Sequence, residues 1–264
     1  MRRQGVAIAI ALVCGGGLFH SASTAAAQNP PAAAKNPPAA VDSDVDPEAV
    51  KALQRMSQYL STLRAFDLKA DTIRDVVTAE GQRIQLAGVS RYIVRAPNAF
   101  QVDISTDLKE RRFYYDGQRF TVFAPKLGYY ASAPAPPTIR GALEALYDRF
   151  GIVLPLEDLF RWNESKDDRS KELKSAFLVG PGTVDGVVTD HYAFRQGEKD
   201  WEIWIDRGAR PLPRKLVIVD RSDPAAPGYS ARMTWNTAPS LSDVDFAFKP
   251  GPNDKLIHLA ELKK

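Results

Sequence analysis

The chain has 264 residues, with 35 Lys and Arg against 32 Asp and Glu, a balance that favours neither nucleic acid nor an anionic membrane surface as a bulk partner. Its 44% hydrophobic content fits an ordinary soluble domain, long enough to bury a core without covalent staples. The single cysteine, Cys14, lies in an N-terminal apolar run, so the rest of the chain has no disulfide, thiol nucleophile or cysteine-based metal site.

Arg2 and Arg3 open the chain, an apolar run follows from Val6 to Phe19, and small residues end in Ala25-Ala26-Ala27. That is the pattern of a secretory signal peptide, and the run is short of the roughly 20 apolar residues that a membrane helix needs. The sequence therefore predicts export to the periplasm, cleavage after Ala27 and no integral membrane span afterwards. Without Arg2 and Arg3 the chain carries 33 basic against 32 acidic residues, a net charge of +1. Lipidation at Cys14 does not fit, because Ala11-Leu12-Val13 lacks a leucine three back and a small residue one back.

Residues 28–46 are dominated by Pro and Ala without apolar periodicity and read as an extended linker. Order is predicted from 47 to 264, as one domain. Asp46-Pro47-Glu48 offers an N-cap, a proline at the first helical position and an early acidic residue. Val50, Leu53, Met56, Leu60 and Leu63 then predict an amphipathic helix to Leu63 or Arg64. From there the period becomes two. Ala65 to Thr78, Ile84 to Arg95, Phe100 to Ser105, Arg111 to Asp116 and Gln118 to Ala124 read as strands, and their short connections make them antiparallel neighbours.

The proline-rich stretch Leu127 to Pro137 reads as loop. Thr138 to Phe150 reads as a second helix ended by Gly151, and Leu156 to Trp162 as a further helical turn or two. Strands return at Ala176 to Val179, Val184 to Gln196, Trp201 to Asp206, Lys215 to Asp220, Ser230 to Thr237 and Ala247-Phe248. The fold class is mainly β, a long antiparallel sheet interrupted by helices that need a sheet face to cover. Several strands are apolar on both faces, among them Phe120-Thr121-Val122-Phe123 and Leu216-Val217-Ile218-Val219. Such strands require cover on both sides, or a curved sheet whose concave face holds an apolar ligand beneath helices.

Trp204-Ile205-Asp206 followed by Leu212-Pro213-Arg214-Lys215-Leu216 resembles the W-x-D … LP-x-x-L hairpin of the LolA/LolB-like lipoprotein carriers. Met233-Thr234-Trp235-Asn236 and then Phe246-Ala247-Phe248-Lys249-Pro250 is similar to their closing F-x-F-x-P strand. The chain also looks like a group of predicted periplasmic proteins of unknown function with this layout. The resemblance implies an unclosed half-barrel with helices over its concave face, holding a lipid, an acyl chain or a lipoprotein, with an envelope protein as a further partner. It implies wall residues Tyr92, Val94, Phe100, Val102, Ile104, Phe113, Tyr115, Trp201, Ile203 and Ile205, and lid residues Tyr129, Tyr130, Leu143, Leu146 and Phe150. Each of these also suits a plain core position, and a register error of one exchanges every wall residue for its neighbour. Carriers of this kind hold a basic residue near the cavity. Here Arg91, Arg95, Arg112 and Arg119 all lie on strands, and none sits in a motif that singles it out.

No catalytic motif accompanies His191 or His258, and no cofactor or metal site is implied. Asp243 and Asp245 alternate along a stretch read as extended, which puts them on one face but supplies too few oxygen ligands for a cation. A hydrolase would need His191 beside a nucleophile such as Ser175 or Ser230. The sequence thus points to a non-catalytic periplasmic binding protein. The competing reading is an envelope sensor or protein-interaction module of the same fold without a ligand cavity, marked by an exposed sheet edge or outer apolar patch.

Overall fold

The computed structural model describes residues 45–160 and 169–261. The export signal and most of the linker lie outside the described residues, as do Arg161 and Trp162 of the third helical segment. The first helix is α1 (Pro47–Thr62), and Asp46 caps it by accepting the Glu48 N–H at 2.8 Å. Val45, at the end of the expected linker, already bridges Ala176 in parallel. Five hairpin-linked strands follow: β1 (Ala65–Val77), β2 (Arg83–Arg95), β3 (Ala99–Thr106), β4 (Glu110–Tyr115) and β5 (Arg119–Ala124).

The stretch read as loop contains a further strand, β6 (Tyr129–Pro134), paired antiparallel with β5. Its prolines hid it: Pro134 closes the strand, while Ala131 and Ala133 are buried small residues that give little apolar signal. The second helix is α2 (Ile139–Phe150), capped by the Thr138 hydroxyl and stopped by Gly151 in the left-handed region. A short 3-10 turn (Glu157–Phe160) follows. Then come β7 (Leu173–Val184), β8 (Val187–Gln196), β9 (Lys199–Asp206), β10 (Pro213–Asp220) and β11 (Gly228–Asn236). Between β7 and β8 the chain reverses through Asp185 and Gly186, at φ 49° and 79°, so the long run read from Val184 is broken there. Ala247-Phe248 is not a strand, and a two-residue strand that the sequence does not announce, β12 (Lys255–Leu256), pairs parallel with β6.

All twelve strands belong to one curved, unclosed sheet in the order β12-β6-β5-β4-β3-β2-β1-β11-β10-β9-β8-β7. The topology forces two crossings. β6 and β7 follow each other in sequence yet stand near opposite ends of the sheet, and residues 135–160 of the connection lie over one face. They pass over the concave face and carry α2 with them. Ala142 and Leu146 of α2, then Leu154, Leu156 and Leu159, join the main core, and the Tyr92 hydroxyl donates to the Pro155 carbonyl at 2.6 Å. β11 lies at the centre of the sheet and β12 at one end, so residues 237–254 must cross too, and they cross the convex face.

That second crossing is a strap. Phe246 is 2% exposed and packs on Ile93 and Ala99, with the Arg95 guanidinium over its ring at 4.8 Å. Phe248 lies against Tyr114, Phe123 and Tyr130, with ring centroids 5.4, 5.2 and 4.9 Å away. Asp243 and Asp245, read as neighbours on one face of an extended segment, instead sit in a 3-10 turn (Asp243–Asp245). Asp243 pairs with Arg95 at 2.7 Å, and Asp245 accepts the Ser242 N–H at 2.7 Å.

Candidate functional site

All ten wall residues face the concave side with α1. Tyr92, Phe100, Val102, Phe113, Tyr115, Trp201, Ile203 and Ile205 are buried there, and Val94 and Ile104 are partly buried against them. Ala49, Leu53, Met56 and Leu60 of α1 belong to the same apolar cluster, so the helix covers the wall. Burial pushes the Tyr92 phenol far up, and that of Tyr229 to about 12. Of the lid residues, Leu146 is buried and Leu143 and Phe150 half-buried, all three on α2. Tyr129 and Tyr130 lie on β6 rather than on a loop. Tyr129 is 40% exposed, and Tyr130 packs on Phe248 on the convex side, so it does not cover the concave face. By strand parity Arg91, Arg95, Arg112 and Arg119 all share that convex side, opposite the wall.

Beside α1 the concave face opens into a cleft of about 570 Å³. One bank is the helix stripe Ala52, Arg55, Tyr59 and Thr62, spaced three and four apart as neighbours on a helix surface must be. The floor is Ala52, Tyr192 and Ile205, which also belong to the main core. The far bank is the β9–β10 turn, from Arg207 to Pro211, with Asp190 of β8 at its foot. The W-x-D … LP motif builds this turn. Arg214 grips Asp206 with two hydrogen bonds of 2.7 and 2.6 Å, and the Asp206 N–H donates to the Leu212 carbonyl at 2.9 Å.

Trp235, in the second quoted motif, braces the turn by donating its indole N–H to the Pro213 carbonyl at 2.7 Å. Arg207 in turn is tied to Asp190 at 2.7 Å. Burial raises the Tyr192 phenol, Asp190 raises it further, and Arg55 and Arg207 oppose that, so four polar groups converge on one corner of the cleft. Sequence reasoning missed Arg55, Asp190 and Arg207. The available signal was an arginine one step off the apolar stripe of α1.

A second hollow, of about 770 Å³, lies between the β1–β2 hairpin and β11. Asp71, Ile73, Val89, Lys215 and Arg232 line it, with charges of both signs, and of its lining only Ala231 belongs to the main core. His191 is on the convex side. Its Nε2 is 2.7 Å from Glu202 and its ring stacks on Trp204 at 3.8 Å, while Lys215 lies 4.2 Å over the same indole. Among the described residues no hydrogen bond joins His191 to Ser175 or Ser230, and no group of three or more His, Cys, Asp and Glu is placed to hold a metal. Nor is any described helix long and apolar enough to cross a membrane.

Sheet, helices and cleft define an unclosed half-barrel whose concave face is apolar and helix-covered. The chain belongs to a family described as predicted periplasmic protein (DUF2092), which matches residues 49–260. No curated protein matches it. Among solved structures it is similar to the lipoprotein LppX of Mycobacterium tuberculosis, at 12% identity and a TM-score of 0.47, over 75% of this chain and 100% of that one. LprF from Mycobacterium bovis gives 13% and 0.44, over 78% and 99%. A LolA superfamily protein from Nitrosomonas europaea gives 10% and 0.34, over 76% and 97%. At such scores the likenesses carry no argument about a ligand, and the fold stands on its own topology.

Proposed function

We propose that the protein is a non-catalytic periplasmic binding protein that takes a lipid, an acyl chain or the acylated end of a lipoprotein into the concave face beside α1. The export signal delivers it and is removed after Ala27. The wall and lid residues on the concave face form the apolar surroundings that the chain enters, and the cleft is its entrance. The observation that supports this best is the continuity of the cleft floor with the main core through Ala52, Tyr192 and Ile205. A chain entering there leaves water at about 0.8 kcal/mol per CH₂. The volume also falls in the ordinary range for small-molecule sites, roughly 300–1,000 Å³.

The test is titration of the mature protein with a fluorescent fatty acid, alongside Ala52→Trp, which fills the entrance. Saturable one-to-one uptake that weakens by about tenfold or more in the variant, with unchanged circular dichroism, supports the reading. Absence of uptake by the unsubstituted protein overturns it.

The alternative, an envelope sensor or interaction module, draws on β7. That strand ends the sheet, and its Leu178 and Val179 are 49% and 51% exposed. Gly180 and Pro181 interrupt it with a pairing irregularity, which blunts the edge. Leu178→Lys abolishing a cross-linked envelope partner while sparing fatty-acid uptake would favour this second role.

A further inference from the structure

Resting on the binding role above, we propose that the cleft selects amphiphiles carrying an anionic group, a carboxylate or a phosphate, and that Arg55 is the residue that recognises it. The charge balance of the two banks carries the inference. Four charged side chains line the cleft: Arg55, Arg207, Asp190 and Asp206. Asp206 is consumed by Arg214, and that pair is largely withdrawn from solvent, at 12% and 19% side-chain exposure. Asp190 is consumed by Arg207, whose Nη2 lies 2.6 Å from it.

Arg55 has no ion-pair partner among the described residues. The carboxylate that reaches it along α1, Glu48, is engaged by Lys51 at 2.7 Å. One positive charge is therefore left over at the mouth of an apolar-floored cleft, in a chain whose bulk charge is close to balanced. The planar guanidinium fork of Arg55 matches carboxylate and phosphate oxygens. Arg55 lies on the helix stripe between Ala52 and Tyr59, so it and the apolar floor border the same cleft.

The experiment measures binding of oleoyl lysophosphatidylglycerol, oleate, monooleoylglycerol and glycerol phosphate to the mature protein by calorimetry. The two anionic amphiphiles are expected to bind about tenfold tighter than uncharged monooleoylglycerol, and glycerol phosphate not measurably. Oleate against the lysolipid tells a fatty acid from a phospholipid headgroup as the preferred anion. Arg55→Gln should reduce the anionic affinities to that of monooleoylglycerol for the unsubstituted protein, Arg55→Lys should recover part of the loss, and Arg55→Glu should reverse the preference.

Equal binding of charged and uncharged oleoyl lipids would overturn the selection while leaving the lipid-binding role standing. So would a preference that survives Arg55→Gln. Tight binding of glycerol phosphate alone would make the cleft an anion site without a chain and overturn both. Failure of every oleoyl lipid to bind would do the same.

Discussion

The two halves of the convex face solve one problem in different ways. From β2 to β6 the outer surface carries a patch of apolar and aromatic residues among its arginines, Ile93, Ala99, Tyr114, Phe123 and Tyr130, and the strap covers that patch with Phe246 and Phe248. From β8 to β10 no strap passes among the described residues, and the outward side chains form a polar ladder instead. Arg195 is bound to Asp200 at 2.6 Å, His191 to Glu202 at 2.7 Å, and Trp204 lies between the His191 ring and the Lys215 ammonium. A strand that looks apolar on both faces is thus explained by distant cover in one half. In the other, an aromatic is held among charges. The concave face needs no such division, because both helices and the 150–160 segment close it along most of its length.

Substitutions on the two halves should separate in size. Phe246→Ala empties a fully covered site, and a loss of about 3–5 kcal/mol is expected in denaturant unfolding. A loss below 1 kcal/mol would mean that the strap is ornamental. Asp206→Ala, in the turn that frames the cleft, leaves Arg214 unpaired and half-enclosed. It should cost about 2–3 kcal/mol and weaken fatty-acid uptake along with stability. On the ladder, His191→Ala removes a stack and a charge-linked hydrogen bond at a partly exposed site, for about 1 kcal/mol. A cost as large as that of Phe246→Ala would contradict the division between the two halves.

The smallest expected effect is on pH dependence. The Gly228 N–H, with help from Gln85, holds the Asp75 carboxyl below the usual range. A depressed carboxyl contributes fully above its unfolded value, and the contribution is lost as pH falls through the folded one. Asp75→Asn should therefore lower the melting temperature at neutral pH and flatten the acid limb. An unchanged acid limb would remove this contact from the account.

Much of the fold was legible because its signals are local. The strands from Ala65 to Ala124 end within a residue or two of where alternation and turn residues put them. The first long helix is announced by its cap, Asp46, and the second by its apolar spacing and by Gly151 at its end. What stayed hidden depends on partners remote in the chain. β6 needs β5 to be a strand, β12 needs β6, and the Phe-Ala-Phe motif reads as a strand until the topology makes it a strap.

The cleft was illegible for the same reason. Arg55, Asp190 and Arg207 meet only because α1 packs beside β8 and the β9–β10 turn. Asp206 and Arg214 were quoted as a motif, and what they do there, neutralising each other at the edge of the cleft, is a fact of geometry alone.

The most direct test is native mass spectrometry with lipid extraction on the protein purified from its own periplasm. The account predicts a bound mass that resolves into an acylated, negatively charged molecule and that is diminished in Arg55→Gln and lost in Ala52→Trp. A clean unliganded mass that stays unliganded when oleate or oleoyl lysophosphatidylglycerol is added would contradict it, and would make the concave face a packed core and nothing more.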